Sequence, residues 1–358
     1  MKKLCVIFGG ASVEHDISII TGMQLAKSVE QKYSLEKIYL GLDNKFYLAT
    51  KIKDVSTFQN KENLKLKEII VSNNSIYLKG LILKKYCDIE CIINCCHGGV
   101  GENGDLAGFF SVNGVKFTSA NSLASHIAMD KSLTKELVKE LVPTIKGLKV
   151  TKSNFEMTTK QIVETFSNEL IVKPNSLGSS IGVRACNKEN FVEQILAIFE
   201  MQDDALVEER VEDLFEYNQA CFRNGEELEL SDIEQPITKS KFLTFDEKYN
   251  SKTKGKGTDR IIPAKISKKL EAQISNYTKQ IYEKLGMNGV ARIDYIFDKK
   301  EKKIYFNEIN TIPGSMAFYL YEGIGIDYIT LIENLIKNAK NAQKFAYFDT
   351  KILKNKKI

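Results

Sequence analysis

The first 120 residues alternate short apolar runs with amphipathic stretches. Lys3–Phe8 is a β-branched apolar run and predicts a buried strand. Ile17, Ile20, Leu25 and Val29 recur at helical spacing and predict a helix face. Lys37–Gly41 reads as a second strand and Cys87–Cys96 as a further one, followed by a glycine-rich turn and a helix over 104–113. Strands alternating with helices predict a parallel α/β sheet that binds ligands at the carboxyl ends of its strands. Between these elements, 48–85 is rich in Lys and Asn and lacks clear periodicity. Apart from short runs at 69–71 and 75–83 it reads as peripheral hairpins and loops.

From Asn121 to Leu141 the pattern turns helical through Leu123, Ile127, Leu133, Leu137, Val138 and Leu141, with Asp130 placed to cap a second helix start. Beyond Pro143 come short strands at 148–150, 170–173, 181–184 and 205–208 and one helix at 188–199, an α+β module. A strand near 215–223, a basic glycine-bearing loop, a helix over 267–285, a hairpin 290–297/303–309 and a terminal helix over 329–342 complete the chain. These shifts predict three domains, 1–120, 121–208 and 209–358.

Composition narrows the function classes. Lys and Arg number 51 against 46 Asp and Glu, a net charge of +5 over 358 residues, which gives no case for a nucleic-acid protein. The chain is 43% hydrophobic and 27% charged, a globular balance. No stretch approaches the ~20 apolar residues of a membrane span. The apolar start ends at Gly9-Gly10, too soon for a secretory leader, which predicts a cytoplasmic protein without membrane partners. Four of the seven cysteines fall at 87, 91, 95 and 96. That spacing lacks paired C-x2-C knuckles and reads as buried thiols in a reducing compartment.

Five segments carry candidate chemistry. In the hairpin, side chains alternate with period 2, so Arg292 and Asp294 share one face of the first strand and Glu308 and Asn310 one face of the second. Two carboxylates and an amide converging there suit Mg²⁺ carrying substrate phosphates; a solvated polar face is the competing reading. In IVKPNSLGSSIGV at 171–183, Lys173 ends an apolar strand and a Gly/Ser loop follows, which suits a phosphate cradle or a plain hairpin loop. Glu14 opens the first helix, where it either stabilises the helix start or faces a substrate ammonium. The loop HGGVGENGD at 97–105 packs four glycines near His97. Residues 248–260 form a basic stretch, either a lid over phosphates or a solvated loop.

These segments occur together in a known order: FGGASVEHDIS at 8–18, HGGVGENGDL at 97–106, AMDK at 128–131, IVKPNSLGSSIGV at 171–183, EKY at 247–249, ARID at 291–294 and NEINTIPG at 307–314. By them the chain resembles the D-alanine–D-alanine ligases of the ATP-grasp superfamily, over roughly residues 4–335. The resemblance implies an α/β and α+β ATP-grasp fold with a Rossmann-like N-terminal domain, and a cytoplasmic homodimer. It implies ATP-dependent joining of two D-alanines through an acyl phosphate, for peptidoglycan precursor synthesis. It further implies that Glu14 holds the first substrate's ammonium, with Ser179 and Tyr249 bonded to it and His97 nearby. Lys131, Lys173 and Lys248 then bind phosphates; Ser179, Ser180, Glu209, Arg210, Val211 and Glu216 surround the nucleotide. Asp294, Glu308 and Asn310 take two Mg²⁺ or Mn²⁺ ions, and Arg292 with the Gly314 N–H stabilises the oxyanion. Two positions depart from the family. Leu214 stands where a glycine usually precedes the ribose-binding Glu216, and Tyr319 replaces a serine that helps bind the second substrate's carboxylate. A D-serine or D-lactate acceptor, or a catalytically silent nucleotide-binding module, are the alternatives.

Overall fold

A computed structural model describes residues 2–59, 64–237 and 260–339. The N-terminal sheet is a closed barrel of β1 (Lys2–Gly9), β2 (Leu35–Leu40), β3 (Phe46–Leu48), β4 (Lys67–Ser72), β5 (Ser75–Leu78) and β6 (Lys84–Asn94). Strand β1 lies between β2 and β6 and runs parallel to both. The remaining pairs are antiparallel. The expected all-parallel sheet is thus limited to β2–β1–β6. The 48–85 stretch is not peripheral, because β4 and β5 close the barrel. Each contributes only one or two buried apolar residues (Ile69, Val71, Ile76), too few to register as periodicity.

Helix α1 (His15–Val29) lies on β1. Its buried face carries Ile19, Met23, Leu25, Ala26 and Val29, whereas Ile20 is 51% exposed, so the expected face is rotated. Gly22 sets that rotation: a Cβ there would sit 2.4 Å from Phe8 Cβ. At the carboxyl end of β6 follow α2 (Gly99–Glu102) and α3 (Asp105–Val112). The helical stretch over 121–141 is two helices, α4 (Ser122–Met129) and α5 (Lys131–Val138), the second capped at its start, as expected, by Asp130, whose carboxylate accepts from Leu133 N at 2.9 Å. Leu123 and Leu133 face solvent, while Lys131 and Lys135 point inward.

The second sheet orders as β7 (Gly147–Val150), β10 (Ala205–Glu209), β8 (Glu169–Pro174) and β9 (Arg184–Asn187), all antiparallel. Helices α6 (Phe155–Thr165) and α7 (Phe191–Glu200) share its core. Helix α6 was not expected; it buries only Thr158 and Ile162, a stripe too sparse to read. The third sheet orders as β13 (Arg260–Ile261), β12 (Glu227–Pro236), β11 (Leu214–Asn224), β14 (Ala291–Asp298) and β15 (Lys303–Asn310). Strand β12 also escaped the pattern, because ELELSDIEQP alternates acids with few apolar residues. Helix α8 (Lys268–Lys284) begins at Ser267, whose hydroxyl accepts from Leu270 N. Helix α9 (Tyr328–Asn338) packs Leu331, Ile332 and Leu335 into one core with Leu4, Phe8, Leu25 and Phe222, which joins the two ends of the described chain.

Alanine is the better helix former by about 1 kcal/mol. Gly22→Ala is nevertheless expected to destabilise, because overpacking against Phe8 costs about 1–3 kcal/mol. A lowered thermal unfolding midpoint checks this, and a raised one refutes the close approach.

Candidate active site

The β14–β15 register places Asp294 opposite Glu308 and Arg292 opposite Asn310. Arg292 grips Asp294 with two bonds, Nε to Oδ1 at 2.7 Å and NH2 to Oδ2 at 2.8 Å. Asn310 Nδ2 donates to Asp294 Oδ2 at 3.1 Å, which leaves its amide oxygen as an acceptor. Burial opposes the Arg292 charge, and the Asp294 carboxylate outweighs it, holding the guanidinium firmly protonated. All four side chains line one cleft, and across it lie Glu14, His97, Ser179, Glu216, Gly314 and Tyr319.

Next to this cleft lies a cavity between the second and third sheets. Lys131, Lys173, Ser180, Glu209, Val211, Glu216 and Glu308 line it, along with Leu214 at the expected glycine position. Lys131, first in α5, donates to Leu177 O at 2.6 Å and lies 3.6 Å from Glu308 Oε2. Lys173 lies 2.7 Å from Glu208 Oε2 and 3.2 Å from Asn307 Oδ1. On the far side of the same carboxylate, Lys135 Nζ lies 2.5 Å from Glu208 Oε1. Burial alone would raise the Glu208 pKa, but the two ammonium groups hold it down at about 2. Burial lowers Lys135 to about 8; Glu208 opposes that drop and the Lys173 charge adds to it. The two shifts do not mirror each other, because one buried anion faces two buried cations.

At the amino end of α1, the Glu14 carboxylate accepts a hydrogen bond from the Ser179 hydroxyl. Two glycines make room for it: a Cβ at Gly98 or at Gly178 would come within 2.9 Å of Glu14 Oε2. Ser179 and Ser180 hold left-handed backbone, φ 55° and 58°, as do Ser315, Met316 and Ala317 just after Gly314. Such backbone is strained for non-glycine residues and concentrates at functional loops. Buried His97 spends both ring nitrogens on protein partners, Nδ1 on Ile312 O at 2.6 Å and Nε2 on Thr21 Oγ1 at 3.0 Å. Burial lowers its pKa, so the ring is a neutral clamp at the cleft edge. Lys248, Tyr249 and the rest of the basic stretch up to 259 lie outside the described residues.

Residues 3–120 match the model of the "D-ala D-ala ligase N-terminus" and residues 138–337 that of the "D-ala D-ala ligase C-terminus". A D-alanine–D-alanine ligase of Thermosipho melanesiensis is 32% identical over 99% of this chain and 99% of its own. The chain belongs to the D-alanine–D-alanine ligase family. Among solved structures, the D-alanine-D-alanine ligase of Helicobacter pylori is similar at 28% identity and TM-score 0.77, over 95% of this chain and 99% of that one. The VanG D-Ala:D-Ser ligase of Enterococcus faecalis is similar at 26% identity and TM-score 0.80, over 94% and 98%. The ATP-grasp architecture follows, and the family is one of ATP-dependent ligases that use a divalent metal ion.

In this ligase fold the geometry also draws attention to residues the motifs did not single out. Glu208, not Glu209, turns its carboxylate onto Lys173; Glu209 Oε1 accepts from Ser167 N at 2.9 Å and lies 3.7 Å from Lys146. Arg210 is turned toward Glu169, at 3.3 Å. In a run of consecutive glutamates only strand alternation decides which faces inward. Glu102 is half-buried and accepts from Gly98 N, Thr311 N and Ile312 N at 3.0, 3.0 and 3.1 Å, which staples the 97–102 loop to the strand end after Asn310. Burial, then the Glu14 charge, pushes it up to about 7 against those donors. Cys5 of β1, Cys91 of β6 and Cys95 and Cys96 just after it are core residues, Cys87 is half-buried, and burial pushes the Cys91 thiol up to about 12.

Glu208→Gln would leave two ammonium groups buried together, and breaking such a group costs about 3–5 kcal/mol. Because the folded Glu208 value lies below the ordinary 4.5, its contribution is present above pH 4.5 and fades as pH falls toward about 2. Urea unfolding of both proteins at pH 7 and pH 3 checks this: the gap is expected to be wide at pH 7 and narrower at pH 3.

Proposed function

We propose that the chain joins two D-alanines into D-alanyl-D-alanine with cleavage of ATP to ADP, as a step of peptidoglycan precursor synthesis. The observation that supports this best is the cross-strand grouping of Asp294, Glu308, Asn310 and Arg292 in one cleft with Glu14 and Ser179. The γ-phosphoryl group passes to the first D-alanine's carboxylate. The second amine attacks the acyl phosphate, and the tetrahedral intermediate loses phosphate.

Glu14, oriented by Ser179, holds the first ammonium in a recess that only glycines at 98 and 178 leave open. Lys131 and Lys173 face the phosphates, and Glu208 fixes where the Lys173 charge sits. Ser180, Val211 and Glu216 bound the nucleotide cavity. Asp294, Glu308 and Asn310 fit a hard divalent ion by donor type. Two Mg²⁺ or Mn²⁺ ions held there would neutralise the terminal phosphates. Arg292 and the Gly314 N–H face the developing oxyanion, a placement worth ~3–4 kcal/mol per donor. The three sheets support domains near 1–120, 121–208 and 209–358. A cytoplasmic homodimer is part of this reading. Among the described residues no helix is long and apolar enough to cross a membrane.

ADP release that requires both D-alanine and Mg²⁺, and stops with a chelator, is the expected result; no D-alanine-dependent turnover would defeat the proposal. D-Serine and D-lactate in the same assay show whether the acceptor differs. Arg292→Ala is expected to lower turnover at least ~100-fold while ATP affinity stays close to the parent's. Steady-state kinetics with nucleotide binding by fluorescence reads both, and unchanged turnover removes Arg292 from the chemistry.

A further inference from the structure

We propose that Arg260 binds the carboxylate of the second amino acid, with Tyr319 and Glu234 as its positioning residues; this rests on the ligase reading above. Arg260 begins the two-residue edge strand β13, paired with Pro236 of β12. Its guanidinium carbon lies 4.4 Å from the centre of the Tyr319 ring, and NH1 lies 3.2 Å from Glu234 Oε1. Glu234 is buried and holds two further groups on Oε2, Asn218 Nδ2 at 3.1 Å and the Tyr319 hydroxyl at 3.3 Å.

This stack changes what residue 319 contributes. A phenol has one proton, and Tyr319 donates it to Glu234. A substrate carboxylate is acceptor-only, so it gains no hydrogen bond from that hydroxyl while the bond stands. The chain gains instead a flat, electron-rich face that carries a guanidinium. A guanidinium has five N–H donors in a fixed fork that matches a carboxylate, and NH1 is the nitrogen nearest Glu234 Oε1.

Charge points the same way. Among the described residues lining the cleft there are six acidic side chains and two arginines, Arg260 and Arg292. Arg292 is held by both oxygens of Asp294. An acceptor carboxylate entering so acidic a cleft needs a cation. Arg260 stands where the cleft meets an outer cavity lined by Asp232, Ile262 and Glu322, with about 35% of its side chain exposed.

The test compares D-alanine with D-alaninamide as acceptor, which keeps the amine and removes the carboxylate charge. The parent enzyme is expected to favour D-alanine at least tenfold in kcat/KM. Arg260→Met keeps an apolar stem over the ring and is expected to shrink that preference at least tenfold. Its acceptor KM should rise at least tenfold more than the KM of the first D-alanine, which positional isotope exchange in ATP reads separately. Arg260→Lys should recover part of the preference. Equal use of the amide by the parent, an unaltered preference in Arg260→Met, or equal rises in both KM values overturns the proposal. If Arg260→Met does not fold, the parent's preference and Arg260→Lys decide: an undiminished preference in the lysine variant overturns it. A parent enzyme that makes no dipeptide from any D-amino acid fails the ligase reading instead, which separates the two.

Discussion

The antiparallel register of β14 and β15 is the constraint on which the site depends. Pairing Asp294 with Glu308 and Arg292 with Asn310 puts two carboxylates, an amide and a guanidinium on one sheet face. A slip of one residue would turn each strand's set to the opposite face, since side chains alternate with period 2. The apolar residues between them guard the register: Ile293, Tyr295, Phe306 and Ile309 lie in the core under α8. The chemistry on one face is therefore secured by packing on the other.

Charge burial is the second theme. Lys135, Glu208 and Lys173 lie together beside the cavity between the second and third sheets with one net positive charge, an arrangement that costs desolvation and is kept only by mutual pairing. That surplus faces a cavity suited to phosphates. On the opposite wall, Glu14 and Glu102 lie in a tight glycine-lined corner, and their mutual repulsion suits the arrival of an ammonium. Cationic and anionic recesses thus lie in two adjoining cavities, as the proposed ligase function requires for a nucleotide and an amino acid.

How much was legible followed from how local the signal was. Lys173 at a strand end, Asp130 as a cap and the β14–β15 hairpin each rest on a few neighbouring residues, and they stand where the pattern put them. Strand β12 and helix α6 left no clear pattern, and β4 and β5 showed only as short runs, because each buries few apolar residues. The inward turn of Glu208 rather than Glu209, and the bond from Tyr319 to Glu234, depend on side-chain direction, which spacing does not report.

By itself the amino-acid sequence determined the family, the order of the motifs and the residue types that line the cleft, because those are carried by short segments whose chemistry is local. Only the tertiary structure decided which carboxylate faces each lysine, how the barrel closes and where Arg260 rests. These are contacts between segments far apart along the chain, and burial against a shared core, rather than local preference, selects among them.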